Sequence, residues 1–398
     1  MYRYGLFLLA LILFKEAVSK DIIVSFGGKR TTHENRQKRQ VLLRGQNPEE
    51  FKWPNNTVHY YFDKEEFDPN MKEPVLRAMD LISNHTCIKY STEPSETVIR
   101  MQSDDSIEFC WAEIGHVKSD RDSQGFSFNS ECYSTGLAAH ELIHSLGFIH
   151  SQQRLDRDQY LEIKKNLDGM SLQNRQQYDI FENQEILVPY DYGSVMQYPD
   201  REDEYQPIHK NRFMFQTMGS EIIAFYDYLM INKYYECSCP ENSNLKCQNF
   251  GYPNPSNCSQ CNCPLGYGGV DCSTHAEPGR TLSASEEWQN TSIIIDAGYR
   301  KPTNGKKSQV DFIYNYLWIT APANKTTEVR VEKLGEMKCE FGCNKGGIEV
   351  KINDDPRLTS PRICCDERQI KRSYHTPTVI MAFNNEGRDE YNVQYRYV

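Results

Sequence analysis

The spacing of apolar residues divides the chain into segments with different predicted structures. Residues 57–62 alternate apolar and polar positions, as a half-buried strand does, and Val75, Met79 and Ile82 recur at the spacing of one helix face. Further strands are predicted at residues 87–90 and 97–101, and a further helix at residues 221–235. This mixture predicts an α+β domain over residues 40–238.

The rest of the chain contains short strand-like runs and a dense group of cysteines. The strand-like runs are at residues 292–295, 316–320, 329–332, 348–352 and 379–383. We expect a β-sandwich over residues 280–398. Six cysteines crowd into residues 239–273, which is typical of a small module that depends on disulfide bonds because it cannot bury a sufficient core.

The N-terminal pattern predicts a secretory signal over residues 1–19. Arg3 supplies a positive start, residues 5–14 an apolar run, and residues 17–19 a small-residue cleavage site. The apolar run is too short to cross a bilayer, and no later segment reaches the roughly 20 apolar residues required. The mature protein is therefore expected to be soluble and secreted, and an N-terminal anchor is the alternative.

Residues 20–39 are expected to form a short propeptide. The segment is basic and ends in the sequence RQKR, a dibasic site for a secretory-pathway convertase, which places the mature start at Gln40. The alternative is a charged surface loop.

Composition also favours an extracellular protein that does not bind nucleic acid. The formal net charge is −10, and because both N-terminal segments are basic, the mature chain is at about −15, which argues against nucleic acid or anionic membrane as a partner. Fourteen cysteines, an even number, fit an oxidising compartment. The candidate glycosylation sites are Asn55, Asn84, Asn257, Asn290 and Asn324.

The strongest chemical signal is the sequence HELIHSLGFIH. On a helix, His140 and His144 share one face, and Glu141 can reach a metal-bound water without binding the metal itself. Gly147 can adopt positive φ, so the helix can end there and His150 can return as a third nitrogen ligand. Three ligands and an open fourth position are typical of catalytic zinc. A bare HExxH is also compatible with a solvated helix face, but the longer pattern is far more specific.

Two further motifs follow the histidines. RLDRD occupies residues 154–158 and SVMQY occupies residues 194–198. Together with HELIHSLGFIH, they resemble the astacin family of metzincin endopeptidases over residues 41–237. The resemblance implies an α+β catalytic domain with a five-stranded sheet and one active-site helix. It also implies one zinc ion per subunit, with Met196 packed beneath the metal.

The resemblance also implies a reaction. Zinc lowers the pKa of its bound water to about 7, and Glu141 takes the proton as the water attacks a peptide carbonyl. Tyr198 matches the family's tyrosine that moves between the zinc and the oxyanion, and a role as a core aromatic is the alternative. We expect a secreted zinc endopeptidase whose protein or peptide substrates are matrix proteins or secreted precursors.

Cysteine pairing is implied by the same resemblance and by the likeness of residues 239–273 to an EGF-like module. The implied pairs are Cys87 with Cys237, Cys110 with Cys132, Cys239 with Cys258, Cys247 with Cys261, and Cys263 with Cys272. No calcium is expected at the EGF-like module, since no acidic sequence precedes it.

The C-terminal domain resembles a CUB domain in one segment. The sequence LWITAP at residues 317–322 carries this likeness, although the cysteine that usually precedes the tryptophan strand is absent. Cys364 and Cys365 are expected to reach back to Cys339 and Cys343, in an order that the sequence leaves open.

Three positions depart from the astacin pattern. Ser151 stands where the family has a glutamate that meets the buried N-terminus, so we expect the mature N-terminus at Gln40 to be exposed or extended. Gln197 replaces the histidine of the methionine motif. Lys29 stands where the family's propeptide has a zinc-binding aspartate, for which Asp21 could substitute at a different spacing.

Two functions therefore compete. The intact zinc ligands, Glu141 and Tyr198 favour a secreted endopeptidase. The departures at Ser151 and Gln197, and in the propeptide, favour a catalytically weak extracellular binding protein on a protease scaffold. The sequence does not indicate the oligomeric state.

Overall fold

The computed structural model describes most of the chain beyond residue 50. The described residues are 51–104, 109–117, 123–164, 177–181, 184–200, 204–241, 245–298, 311–333, 339–365 and 370–398. The predicted signal, the propeptide with Asp21 and Lys29, and the predicted start at Gln40 lie outside them.

A mixed five-stranded sheet forms the first layer of the N-terminal domain. Its strands are β1 (Thr57–Phe62), β2 (Lys89–Ser91), β3 (Ile99–Gln102), β4 (Trp111–Ala112) and β5 (Gln124–Ser127). The order is β2-β1-β3-β5-β4, with β4 antiparallel to β5 and the other pairs parallel. The expected α+β domain with a five-stranded sheet is confirmed. A separate hairpin joins β6 (Leu161–Ile163) to β7 (Tyr205–Pro207).

Three α-helices accompany the sheet in the described residues. They are α1 (Lys72–His85), α2 (Thr135–Ser145) and α3 (Phe225–Tyr234). Helix α2 carries the first two histidines of the motif, and it begins where the Ser134 side chain accepts a hydrogen bond from the Leu137 amide at 3.0 Å. Gly147 has a φ of +104°, which fits the turn predicted there. None of the helices in the described part of the chain is long and apolar enough to cross a membrane.

The predicted helix at residues 221–235 is shorter than expected. It begins at Phe225, because the residues before it are used in contacts with the C-terminal domain. The Glu221 amide donates to the Asn344 side chain at 3.1 Å, and Ile222 packs in an apolar cluster with residues of the sandwich. A start at residue 221 was therefore wrong, since a tertiary contact takes the backbone that a first helical turn would use.

Residues 239–273 form a small module with little secondary structure. Its strands are β8 (Tyr252–Asn254), β9 (Asn257–Asn262) and β10 (Tyr267–Gly268), and β10 pairs with β11 (Thr274–His275). The disulfide pairs are Cys239–Cys258, Cys247–Cys261 and Cys263–Cys272. These are the pairs implied by the EGF-like resemblance, and Cys87–Cys237 and Cys110–Cys132 are also bonded in the N-terminal domain.

The C-terminal domain is a β-sandwich of two sheets, as predicted. The strands are β12 (Gly279–Ser283), β13 (Gln289–Gly298), β14 (Ile313–Thr320), β15 (Thr327–Lys333), β16 (Gly346–Val350), β17 (Arg362–Ile363), β18 (Ile370–Ser373), β19 (Thr378–Asn384) and β20 (Gly387–Tyr397). One sheet has the order β12-β14-β19-β16-β17 and the other β13-β20-β15-β18. The open pairing is resolved as Cys339–Cys365 and Cys343–Cys364.

The sandwich packs directly on the N-terminal domain. Ile222 lies in one apolar cluster with Tyr316, Met381 and Phe383 of the sandwich. The Arg362 guanidinium, fully buried, donates to the Ser220 hydroxyl. The two domains therefore share a buried interface.

Candidate metal centre

Three histidines from two local structures meet at one point. Helix α2 places His140 and His144 on the same face, and the turn at Gly147 returns the chain so that His150 joins them. The Nε2 atom of His150 lies 3.2 Å from Nε2 of His140 and 3.0 Å from Nε2 of His144. All three side chains are buried.

The other ring nitrogen of each histidine is held by an oxygen. Nδ1 of His140 lies 2.7 Å from the Val195 carbonyl, and Nδ1 of His144 lies 2.7 Å from the Phe148 carbonyl. Nδ1 of His150 lies 3.2 Å from Oε1 of Gln153. Because these oxygens accept a hydrogen bond from a protonated Nδ1, each ring turns an unprotonated Nε2 towards the shared point.

Burial keeps the three rings neutral. It lowers the pKa of His140 to about 4 and that of His144 to about 3, and it places the pKa of His150 well below its usual value. Neutral imidazoles are the form that binds a metal, so no proton competes for these lone pairs at neutral pH.

The spacing of the three nitrogens fits zinc. Two nitrogens at tetrahedral positions about 2.05 Å from zinc would be about 3.3 Å apart, close to the separations found here. Within the described residues, this is the one group of at least three metal-binding side chains close enough to hold an ion. With three nitrogens supplied by the protein, a fourth position is left for substrate or water.

Glu141 lies next to this centre and is buried. Its pKa is raised to about 8 by burial, and a hydrogen bond from the Ala112 backbone opposes that rise. Its Oε2 atom has no hydrogen-bond partner among the described residues. A buried carboxylate oxygen without a partner is costly unless something is bound there, and a nearby dication would favour its charged form.

Tyr198 is the second side chain that the sequence predicts at the site. Its ring centroid lies 4.3 Å from that of His150, and its hydroxyl lies 3.5 Å from Oε1 of Gln177. The Tyr198 backbone amide donates to Gln152 at 3.3 Å. The ring therefore lies at the edge of the histidine cluster.

The methionine turn, residues 191–198, contacts the cluster through the Val195 carbonyl, which lies 2.7 Å from Nδ1 of His140. Met196 is fully buried, and its carbonyl accepts a hydrogen bond from the Ser151 amide at 2.9 Å. The Asp227 carboxylate, on α3, accepts from the Ser194 hydroxyl at 2.5 Å and from the Val195 amide at 2.9 Å. Asp227 was missed from the sequence, because a single aspartate some 30 positions downstream carries no local signal.

The Gln197 side chain forms hydrogen bonds with two neighbouring tyrosines. Its side chain accepts a hydrogen bond from the Tyr190 hydroxyl and donates to the Tyr198 carbonyl at 3.1 Å. The Tyr190 ring is in turn covered by the Arg154 guanidinium, which is paired with Asp156. The RLDRD motif therefore holds the loop after His150 against the methionine turn. Gln197 takes part in this contact through its hydrogen bond with Tyr190.

Comparison with known proteins gives consistent matches. The family described as Astacin, a peptidase family, matches residues 45–236. Zinc metalloproteinase nas-22 of Caenorhabditis elegans is 62% identical over 91% of this chain and 99% of its own length. Zinc metalloproteinase-like protein nas-21 of the same organism is 46% identical over 96% of this chain and 95% of its own. Among solved structures, high choriolytic enzyme 1, a hatching enzyme zinc-protease of the medaka fish Oryzias latipes, is 25% identical with a TM-score of 0.43, covering 50% of this chain and 100% of its own.

Proposed function

This chain belongs to the astacin family of zinc metalloproteinases and is a zinc-dependent endopeptidase, and from that premise we propose how its residues divide the work. His140, His144 and His150 hold the metal through Nε2. When bound, zinc polarises the peptide carbonyl and lowers the pKa of its water to about 7.

Glu141 is the general base in this proposal. Its partnerless Oε2 atom, buried beside the histidine cluster, is the observation that carries the assignment. Glu141 accepts the proton of the attacking water and returns it to the leaving amine, which needs a carboxylate held close to the metal and out of bulk water. The Ala112 backbone bond fixes the carboxylate in that place.

Tyr198 is proposed to stabilise the oxyanion. Its ring lies against His150, and the Gln152 and Gln197 side chains hold the backbone on either side of it. A phenol O–H donates to the oxygen of the tetrahedral intermediate, where charge develops during the reaction.

A Glu141→Gln variant tests the role of the base. The variant keeps all three zinc ligands, so it should retain about one zinc per chain while its turnover of a denatured protein falls by about 10²–10⁴, the usual contribution of a general base. Zinc content is measured by atomic absorption on the same preparation. Glu162→Gln, an exposed residue on β6, is the control. Equal turnover by Glu141→Gln and the control would refute the assignment.

The substrates are proposed to be extracellular proteins. Seven disulfides in the described residues fit an oxidising compartment. The five candidate glycosylation sites, Asn55, Asn84, Asn257, Asn290 and Asn324, are all exposed. Matrix proteins or secreted precursors are the proposed class, and mapping cleavage sites in a secreted-protein mixture against the Glu141→Gln variant would test it.

A further inference from the structure

A loop of the β-sandwich lies against the back of the methionine turn. This loop, residues 351–361, joins β16 to β17 and carries Thr359, which is 3% exposed. The Thr359 amide donates to both carboxylate oxygens of Asp191, at 3.3 and 3.2 Å, and the Thr359 hydroxyl donates to Oδ2 at 3.1 Å. Asp191 is also buried, so its charge depends on these donors in place of water.

Asp191 is connected through the methionine turn to the zinc ligand His140. Its Oδ1 atom accepts a hydrogen bond from the Gly193 amide at 2.9 Å, and its carbonyl accepts from the Ser194 amide at 3.2 Å. Two residues after Gly193, the Val195 carbonyl holds Nδ1 of His140 at 2.7 Å. Contiguous hydrogen bonds and backbone therefore lead from the sandwich to the metal centre.

The close contact between Thr359 and the methionine turn explains why residue 193 is a glycine. A Cβ atom at Gly193 would come within 2.4 Å of Cγ2 and Oγ1 of Thr359, a distance no side chain tolerates. The backbone of Gly193 is not among those with positive φ, so its conformation does not require glycine. Glycine is needed at this position because Thr359 occupies the space.

The same loop also holds the second support of the turn. Asp355 accepts a hydrogen bond from the Tyr226 hydroxyl on α3. The next residue of α3 is Asp227, whose carboxylate binds Ser194 and Val195. Both anchors of the methionine turn, Asp191 and α3, are thus in contact with one loop of the sandwich.

The loop is itself fixed by buried charges. Glu349, at the loop's base, pairs with Lys351 at 2.8 Å and Arg362 at 3.2 Å, and it accepts the Ser360 amide at 2.9 Å. Lys351 also donates to the Leu358 carbonyl at 3.1 Å. These buried contacts hold the loop, and with it Thr359, in one position.

A separate contact reaches the zinc helix. Asp311 of the sandwich accepts a hydrogen bond from the Thr135 hydroxyl, in the first turn of α2, at 2.5 Å. Asp311 also forms an ion pair with Arg77 of α1. The sandwich therefore contacts helix α2, which carries two zinc ligands, as well as the methionine turn, whose Val195 carbonyl holds His140.

We propose that Thr359 is a positioning residue for the zinc site, through which the β-sandwich completes the support of the methionine turn. The domain then serves catalysis by holding His140 in place, in addition to any contact with substrate. This inference concerns retention of the metal and does not depend on the roles proposed for Glu141 and Tyr198.

A Thr359→Val variant of the full processed chain is the test. Valine keeps the shape and the backbone donor but removes the hydroxyl. Transfer of zinc to a chromogenic chelator should be about tenfold faster, at the low end of the 10–100-fold range for outer-shell partners of a metal site. The kcat for a short peptide, too small to reach the sandwich, should fall with little change in KM. Thr359→Ser, which retains the hydroxyl, should restore both values.

Thr378→Val is the matched control. Thr378 is also buried, and its hydroxyl donates to the His375 carbonyl within the sandwich. It should lower the melting temperature of the chain without changing zinc transfer. Equal zinc transfer in Thr359→Val and Thr378→Val would overturn the proposal. So would additive effects of Thr359→Val and Asp191→Asn in a double-mutant cycle, because two groups in one hydrogen-bonded pair must be coupled.

Discussion

At the residue scale, the sequence predicts those site residues whose positions follow from their spacing along the chain. His140, Glu141 and His144 lie within little more than one turn of a helix, so their geometry follows from the helical repeat alone. His150 follows because a single glycine supplies the turn. Asp227 and Thr359 escape prediction because each is one ordinary polar residue, and only the folded chain brings it to the methionine turn.

Tyr198→Phe is the residue-scale prediction. The ring and its packing on His150 remain, and only the hydroxyl is lost. Turnover should fall by about 10²–10³, the usual cost of one oxyanion donor, while KM changes much less. Steady-state kinetics on a fluorogenic peptide measure both constants, with Tyr374→Phe, 75% exposed, as the control. A raised KM with unchanged kcat would instead make Tyr198 a substrate-binding residue.

At the element scale, the pattern located strands and helices but placed several ends wrongly. The strand predicted at residues 57–62 is β1 in full, since one buried face imposes a strict alternation. The strand predicted at residues 348–352 ends at Val350, and the helix predicted from residue 221 begins at Phe225. The helix start is displaced because the Glu221 amide donates to Asn344 of the sandwich. The strand ends early because the Ile352 amide donates to the Ser360 side chain in the loop that follows.

Glu349→Gln is the element-scale prediction, and it concerns pH. Burial alone would raise the pKa of Glu349, but Lys351 and Arg362 outweigh it and hold the pKa below its usual value. A lowered folded pKa gives stability that is present above about pH 4.5 and lost as the pH falls through the folded pKa. The variant should lose about 3–5 kcal/mol at pH 7, because it leaves two buried cations short of a partner.

Guanidinium denaturation of the wild type and variant at pH 7 and at pH 3.5 checks this prediction. The difference between the two proteins should be large at pH 7 and should shrink at pH 3.5, where the Glu349 carboxylate of the unfolded wild-type chain is mostly protonated. Glu390→Gln, an exposed carboxylate on the same domain, should change neither value. A difference that stays constant between the two pH values would contradict the ionic explanation.

At the scale of the whole molecule, the order of domains was predictable and their docking was not. Cysteine density and strand pattern indicated three successive parts, and the structure has an α+β domain, a disulfide-rich module and a sandwich in that order. The interface depends on pairs such as Thr359 with Asp191, 168 positions apart, and Asp311 with Thr135, 176 apart. No periodicity in a single sequence relates residues at such separations.

Removal of the Cys87–Cys237 disulfide is the whole-molecule prediction. This bond closes a loop of 150 residues, whereas Cys110–Cys132 closes one of 22. In the chain-entropy model, these bonds contribute about 5 and about 3 kcal/mol. Replacing both cysteines of the first pair by serine should therefore reduce the free energy of unfolding more than the same change in the second. A larger loss from the second pair would show that loop length does not govern stability here.

The contact between Thr359 and Asp191 joins two residues that are synthesised at different times. A ribosome adding roughly 5–20 residues per second needs about 10–30 s to travel from Asp191 to Thr359. All three zinc-binding histidines are thus synthesised well before the loop that contacts the methionine turn. A chain interrupted between His150 and the sandwich carries every zinc ligand but lacks this support, so a domain that is synthesised later completes the support of the metal site.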